Sequence, residues 1–237
     1  MSPVFLTASW NHLIMANYAV DPQLLQAYVP PHTELDLYEG TCYVSLVGFL
    51  FDDVRLKGWR IPFHTRFPEV NLRFYVRYKE QDQWKRGVVF ISEIVPKPAI
   101  SWVANVLYKE HYSTMPVRQL FKQEPGQLTV GYSWKYKGKE NKLLVKAGPE
   151  ALPLQAQSVE EFITEHFWGY SAGSGGKTVE YQVAHPRWNI IPVRQYELDC
   201  DFGRLYGHKF AFLNQQEPVS VFLAEGSPVK IFTKRVL

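Results

Sequence analysis

Cysteine is almost missing from this chain: Cys42 and Cys200 are the only two in 237 residues. A disulfide framework needs an even set of patterned cysteines, and a zinc ribbon needs paired spacings, so both are excluded. Each of the two sits in a strand-like apolar pattern, which reads as a buried, reduced thiol in a cytoplasmic protein. No apolar run approaches the ~18 residues that span a bilayer. The N-terminus has no basic segment leading into a clean apolar stretch, so no secretory signal is expected and no membrane partner. Charge of one sign is also scarce. The balance is +3, and phosphate binding needs basic residues gathered on one face, so no nucleic-acid partner is expected. The densest basic stretch, Lys135-Tyr136-Lys137-Gly138-Lys139, reads as a hairpin tip with solvated lysines.

Common catalytic signatures are missing as well. The seven histidines are scattered without zinc-motif spacing, so no metal is expected and no other cofactor. No Gly-x-Ser-x-Gly elbow is present for an acyl-transfer serine. Residues 171–178, Ser-Ala-Gly-Ser-Gly-Gly-Lys-Thr, end like a phosphate-binding P-loop, but Ser171 stands where the first glycine belongs. The context is reversed too: a helix is expected to lead into this loop and a strand to leave it, so the helix N-terminus that cradles phosphate is missing.

What the chain does have is aromatic and apolar bulk, with 15 Phe, 14 Tyr and 7 Trp and an apolar share of 46%. Aromatics suit the half-buried pleated surface of a sheet. The chain divides into many strand-like runs and few helices. Extended runs are expected at 4–14, 35–38, 42–51, 69–78, 87–95, 128–136, 141–146, 178–183, 195–202, 210–213, 219–224 and 229–233. Helices are expected at 22–28, 99–108 and from Ser158, where Ser158 and Glu161 have capping-box spacing. No composition break or repeat divides the chain, so residues 1–237 are expected to form one β-rich α+β domain, an antiparallel barrel or sandwich.

The most informative stretch is 67–78, Phe-Pro-Glu-Val-Asn-Leu-Arg-Phe-Tyr-Val-Arg-Tyr. Side chains alternate along a strand, so Val70, Leu72, Phe74, Val76 and Tyr78 form one face and Glu69, Asn71, Arg73, Tyr75 and Arg77 the other. Two readings stand for the polar face: it meets water, or it lines an enclosed hollow. In a hollow, Glu69 and Arg73 would be the catalytic pair, with Asn71 and Tyr75 binding substrate beside them. Arg offers a planar fork to a carboxylate, and burial can raise a Glu pKa into the acid–base range. A register placing Glu93 opposite Asn71 would add a second carboxylate on the same side. A plain Arg–Glu cross-strand pair is the competing account.

Several stretches together resemble one family. Trp10, Asn17-Tyr18, Asp21-Pro22, Val29-Pro30-Pro31, residues 43–49, residues 67–76, residues 87–90, residues 162–165 and His185-Pro186-Arg187-Trp188 are similar to the YqjF-like proteins, within the acetoacetate-decarboxylase-like superfamily. The resemblance implies a cone-shaped antiparallel β barrel with two or three flanking helices and an internal pocket. In acetoacetate decarboxylase a lysine, paired with a second lysine after a proline, forms an imine with a keto acid. Pro-Lys-Lys is absent here, and the comparable place is Pro116-Val117-Arg118, where Arg118 would hold a positive charge toward an acidic ligand. The expected function is thus a barrel that binds an acidic or carbonyl-bearing small molecule. Lyase-type chemistry without the imine lysine is the first reading and a non-catalytic carrier or sensor the alternative. A homo-oligomer is left open as a partner.

Overall fold

The computed structural model describes residues 2–237. In chain order it places β1 at Val4–Val20, α1 at Pro22–Leu25, β2 at Thr33–Leu35, β3 at Cys42–Leu56, β4 at Phe67–Glu80, β5 at Gln83–Val95 and α2 at Pro98–Tyr108. Next come β6 at Tyr112–Thr114, β7 at Val117–Glu124, β8 at Gln127–Tyr136, β9 at Lys139–Ala147, α3 at Val159–Thr164 and β10 at Trp168–Ala172. The chain closes with β11 at Thr178–Ala184, β12 at Ile190–Ile191, β13 at Val193–Asp199, α4 at Phe202–Tyr206, β14 at Ser220–Phe232 and β15 at Arg235–Val236.

Seven strands pair in a ring: β14, β1, β3, β4, β5, β10, β11 and back to β14. The pairing is antiparallel except where β10 runs parallel to β5, through Trp168 opposite Gly87 and Gly169 opposite Val88. That seam corrects the wholly antiparallel expectation. The chain leaves β5 and returns at β10 only after a long crossover, which is what a parallel pair requires. Glycine makes the seam close: a Cβ at Gly169 would land on the Tyr181 ring, and one at Gly87 on Trp168 and Tyr170. A second sheet, in the order β13, β9, β8, β7, covers the outside of the ring.

The alternation along β4 decides where each face goes. Val70, Leu72, Phe74 and Val76 join Ile14, Ala16, Val44 and Leu46 against Tyr132, Trp134, Leu143 and Val145 of the second sheet. The apolar face therefore points outward into a sheet-on-sheet core, and the polar face of β4 turns inward. Inside the ring, Phe162 of α3 packs on Tyr75 and Tyr43 at one end, with ring centroids 5.4 and 6.2 Å apart. Helix α2 covers the other end, next to Phe51 and Phe67.

Local readings differ in instructive places. Residues 210–213, expected as a strand, lie in a 3-10 turn from His208 to Asn214. Phe210 and Leu213 are buried while Ala211 and Phe212 are exposed, a three-residue spacing that suits a helical turn. The expected strand 195–202 stops at Asp199, because Asp201 caps α4 by accepting from Arg204 N at 3.1 Å. The two runs at 219–224 and 229–233 are one strand, carried through Gly226 at φ +84°, where the backbone lies against Trp10. The run at 35–38 meets β4 at its start, through Leu35 opposite Val76, and closes a tight turn at its end, where Tyr38 and Thr41 exchange backbone hydrogen bonds ahead of β3. Strand β10, not a helix, leads into the P-loop-like segment, which is a hairpin turn between β10 and β11. Cys42 and Cys200 are buried and unpaired. Among the described residues no helix is long and apolar enough to cross a membrane.

Candidate functional site

Glu69, Asn71 and Arg73 point into the ring and line a cavity of about 70 Å³, together with Glu93, Tyr112 and His166. Glu93 sits opposite Asn71 in the β4–β5 ladder, so both face inward. A bulge between Leu72 and Arg73 shifts the register just beyond, so that Arg73 pairs with Phe90. Bulges re-aim side chains beside functional sites in this way. Tyr112 arrives on β6, which runs parallel to β5 with Tyr112 beside Glu93. Asn105 of α2 fixes it from behind, donating Nδ2–H to Tyr112 O at 2.9 Å and accepting from Tyr112 N at 2.7 Å. Lys109, left-handed at φ 58°, turns the chain out of α2 and leaves Glu110 buried.

Three carboxyls are thereby buried side by side. Glu69 Oε1 accepts from Asn71 Nδ2 at 2.9 Å and its Oε2 from Tyr112 OH at 3.0 Å. Glu110 Oε1 accepts from Tyr181 OH at 2.8 Å. Burial pushes Glu69 up to about 7, with its two hydrogen bonds and Arg73 pulling the other way. Burial, with Glu69 adding repulsion, takes Glu110 to about 8 against the Tyr181 bond. Glu93 rises well above the carboxylate range, through burial first and then the negative charge of Glu110 and Glu69. Glu110 is therefore mostly protonated at neutral pH, Glu69 is poised at its titration point and Glu93 is shifted the same way. Among the described residues Glu93 Oε2 and Glu110 Oε2 have no hydrogen-bond partner. Among the described residues no three His, Cys, Asp or Glu converge in a metal-binding arrangement.

Across the cavity stands a base. His166 Nε2 lies 3.1 Å from Asp36 Oδ2, which also accepts from Arg86 Nε at 2.6 Å. Burial alone would raise Asp36, yet the bonds from His166 and Arg86 outweigh it and hold the carboxyl below its usual range. An ionised Asp36 can only accept, so the imidazole proton sits on Nε2. Burial lowers His166 to about 4, with Asp36 opposing. The ring is therefore neutral, and its Nδ1 is a bare acceptor without a partner. Arg73 completes the set. It is 8% exposed, its Nε has no partner, and its one polar contact among the described residues is Nη2 donating to Met15 Sδ at 3.7 Å. Its charge bears on both Glu69 and His166.

Two expected site residues are elsewhere. Arg118 is exposed on β7, in the sheet outside the ring, where it cannot face a ligand inside. The four-stranded sheet takes β7 away from the cavity, which proximity in sequence to α2 does not reveal. Tyr75 is buried but does not line the cavity. Its hydroxyl lies 2.6 Å from Ser45 Oγ, Ser45 donates to Asn17 Oδ1 at 2.6 Å, and the Tyr75 ring backs His166 at 4.7 Å. Asp36, His166, Tyr112 and Glu110 were missed. Asp36 and His166 are 130 residues apart in the chain, and no local pattern joins them. Trp188 both packs on the ring and lines the cavity, stacked on His185 at 4.1 Å.

The model of the DUF2071 family, described as an uncharacterized conserved protein, matches residues 7–228. The chain belongs to that family. The DUF2071 match spans Glu69, Arg73, Glu93, Tyr112 and His166 alike. Among curated proteins, the uncharacterized protein YqjF of Bacillus subtilis (strain 168) is 39% identical over 85 residues, 35% of this chain and 34% of YqjF. The chain thus covers about a third of that relative's length. Among solved structures, acetoacetate decarboxylase from Legionella pneumophila superimposes with a TM-score of 0.65 at 17% identity, over 100% of this chain and 88% of its own. The enduracididine biosynthesis enzyme MppR complexed with pyruvate gives 0.67 at 10% identity, over 100% and 91%. An acetoacetate-decarboxylase-like enzyme from Sphingomonas wittichii RW1 gives 0.68 at 14%, over 98% and 92%. At these identities the likeness is one of fold, and this DUF2071 chain has the acetoacetate-decarboxylase-like fold.

Proposed function

We propose that the ring is a cone-shaped barrel in a single domain, and that its cavity binds a small acidic or carbonyl-bearing molecule and moves protons on it as a lyase-type enzyme. The observation that carries this is Arg73: a buried guanidinium without a salt-bridge partner among the described residues, facing a hollow whose own carboxyls burial shifts toward the protonated form. A buried charge is costly unless paired, and a ligand carboxylate is the partner that relieves it. In this reading His166 Nδ1 takes a proton from the carbon next to the ligand carbonyl. The C–H electron pair becomes a C=C bond, the carbonyl π pair moves to oxygen, and neutral Glu69 protonates that oxygen to give an enol. The enol then returns its O–H proton to Glu69 as the C=O re-forms, and the C=C pair either expels a leaving group with its bonding electrons from the next carbon or takes the proton back from His166. Among the described residues no lysine lines the cavity, so an imine route is not proposed.

The aromatic wall, with Trp10, Phe49 and Trp188 in it, supports a second reading as a non-catalytic carrier or sensor. One experiment separates the two. Pyruvate in heavy water, followed by proton NMR, should lose its methyl protons to deuterium faster with the protein than without it. Glu69→Gln or His166→Asn should slow that exchange by about 10²–10⁴-fold. Exchange no faster than in buffer, with pyruvate bound, would leave the carrier.

A further inference from the structure

A second hollow of about 220 Å³ lies between helix α2 and the α2 end of the ring. Its walls are hydrocarbon: Phe5, Leu6, Val54, Ile100, Val103 and Ala104. Its polar groups are His64 on the loop between β3 and β4, Tyr108 of α2, and the cluster of Glu93, Glu110, Tyr112 and Tyr181. Glu93, Tyr112 and Tyr181 also line the ring cavity. The two hollows therefore meet at these three hydrogen-bonding groups, where Glu93 Oε2 has no partner among the described residues, while Glu110, whose Oε2 is likewise without one, lines the chamber alone.

We infer that this chamber takes the apolar body of the ligand whose polar head the ring cavity holds, so that the substrate is a 2-oxo acid bearing an aryl or branched alkyl group. The inference rests on the function proposed above. The volumes set the division of labour. The ring cavity, at about 70 Å³, is less than half of what a benzene ring needs and has room for the polar head alone. An apolar cavity of about 150 Å³ holds a benzene ring and stays dry without one, and the chamber exceeds that. The carboxylate would meet Arg73, the carbonyl oxygen would accept from Glu69, and the side chain would pass Glu93 and lie under α2. The loop that carries Ile61 and His64 also exposes Trp59 and Phe63, 77% and 87% accessible. An apolar ligand thus meets matching surface at that edge of the chamber.

The test is the ratio of dissociation constants for pyruvate and phenylpyruvate, measured by titration calorimetry on the full chain. In the unaltered protein phenylpyruvate should bind at least about tenfold more tightly, the worth of burying part of a phenyl ring. Ala104→Phe fills the chamber and should bring the ratio near one. Arg73→Met should weaken both ligands together and keep the ratio. A ratio near one in the unaltered protein overturns the inference, as does a ratio that survives Ala104→Phe in a protein of unchanged melting temperature. Should Ala104→Phe fold poorly, Val103→Phe carries the same measurement. Failure of the ring-cavity reading looks different: pyruvate binding that Arg73→Met leaves as tight as before.

Discussion

Replacing Arg73 by methionine is the sharpest perturbation, because the residue stands in the fold without an acidic partner. Met keeps much of the aliphatic volume beside Met15 and Tyr75, whose ring lies 5.8 Å from the guanidinium carbon. Removing a buried charge without a salt-bridge partner relieves a desolvation cost; even whole buried ion pairs are often exchanged for apolar side chains with a change that is neutral or stabilising by about 1–4 kcal/mol, so Arg73→Met should not destabilise the fold. Ligand binding should move the opposite way. Loss of one member of a buried charge pair costs about 2–5 kcal/mol, or roughly 30- to 4,000-fold in affinity for an acidic ligand. Two neighbours should report the missing charge. Arg73 pulls Glu69 down and pushes His166 down. Without it Glu69 should titrate above about 7 and His166 above about 4. Thermal unfolding, pyruvate calorimetry and NMR titration of His166 read these three effects. A variant several kcal/mol less stable, with pyruvate affinity intact, would show that Arg73 is a structural strut and that the site reasoning is wrong.

Two further outcomes follow from the buried groups. Glu69 and Glu110 have folded-state values raised from 4.5 to about 7 and about 8. Their contribution to stability is full below pH 4.5 and is lost as pH rises through 7 to 8. His166, lowered from 6.5 to about 4, contributes above pH 6.5 and loses that contribution as pH falls through 4. The melting temperature should therefore decline between pH 6.5 and 8. The slope for Glu110 is at most about 1.4 kcal/mol per pH unit, and Glu110→Gln should flatten it; a decline as steep in that variant would contradict the assignment. At the seam, Gly169→Ala would drive a methyl group into the Tyr181 ring. Overpacking of this kind costs about 1–3 kcal/mol and would displace the hydroxyl that holds Glu110. An unchanged melting curve would count against that packing.

How much of this was readable from residues alone depends on the length of chain each feature needs. The strand 67–78, its two faces and the opposition of Asn71 and Glu93 are local matters of alternation and hairpin register, and the structure has them as expected. The family resemblance was legible because residues 10–49 and 67–90 retain whole strands of it. Phe210–Leu213 was misread because a short apolar run suits a strand or a helical turn equally, and only burial at Phe210 and Leu213 separates them.

Amino-acid order by itself determined a β-rich chain, its strand periods and which residues of β4 share a face. It could not say which face is inside, since alternation is symmetric about the sheet. The second sheet decided that. By covering the apolar face it turned Glu69, Asn71 and Arg73 inward. Ring closure then brought in groups from four distant segments: Asp36, Glu110 with Tyr112, His166, and Tyr181. Proximity of that kind comes from packing between elements far apart in the chain, and so does the burial that raises Glu69 and Glu110 and keeps His166 neutral.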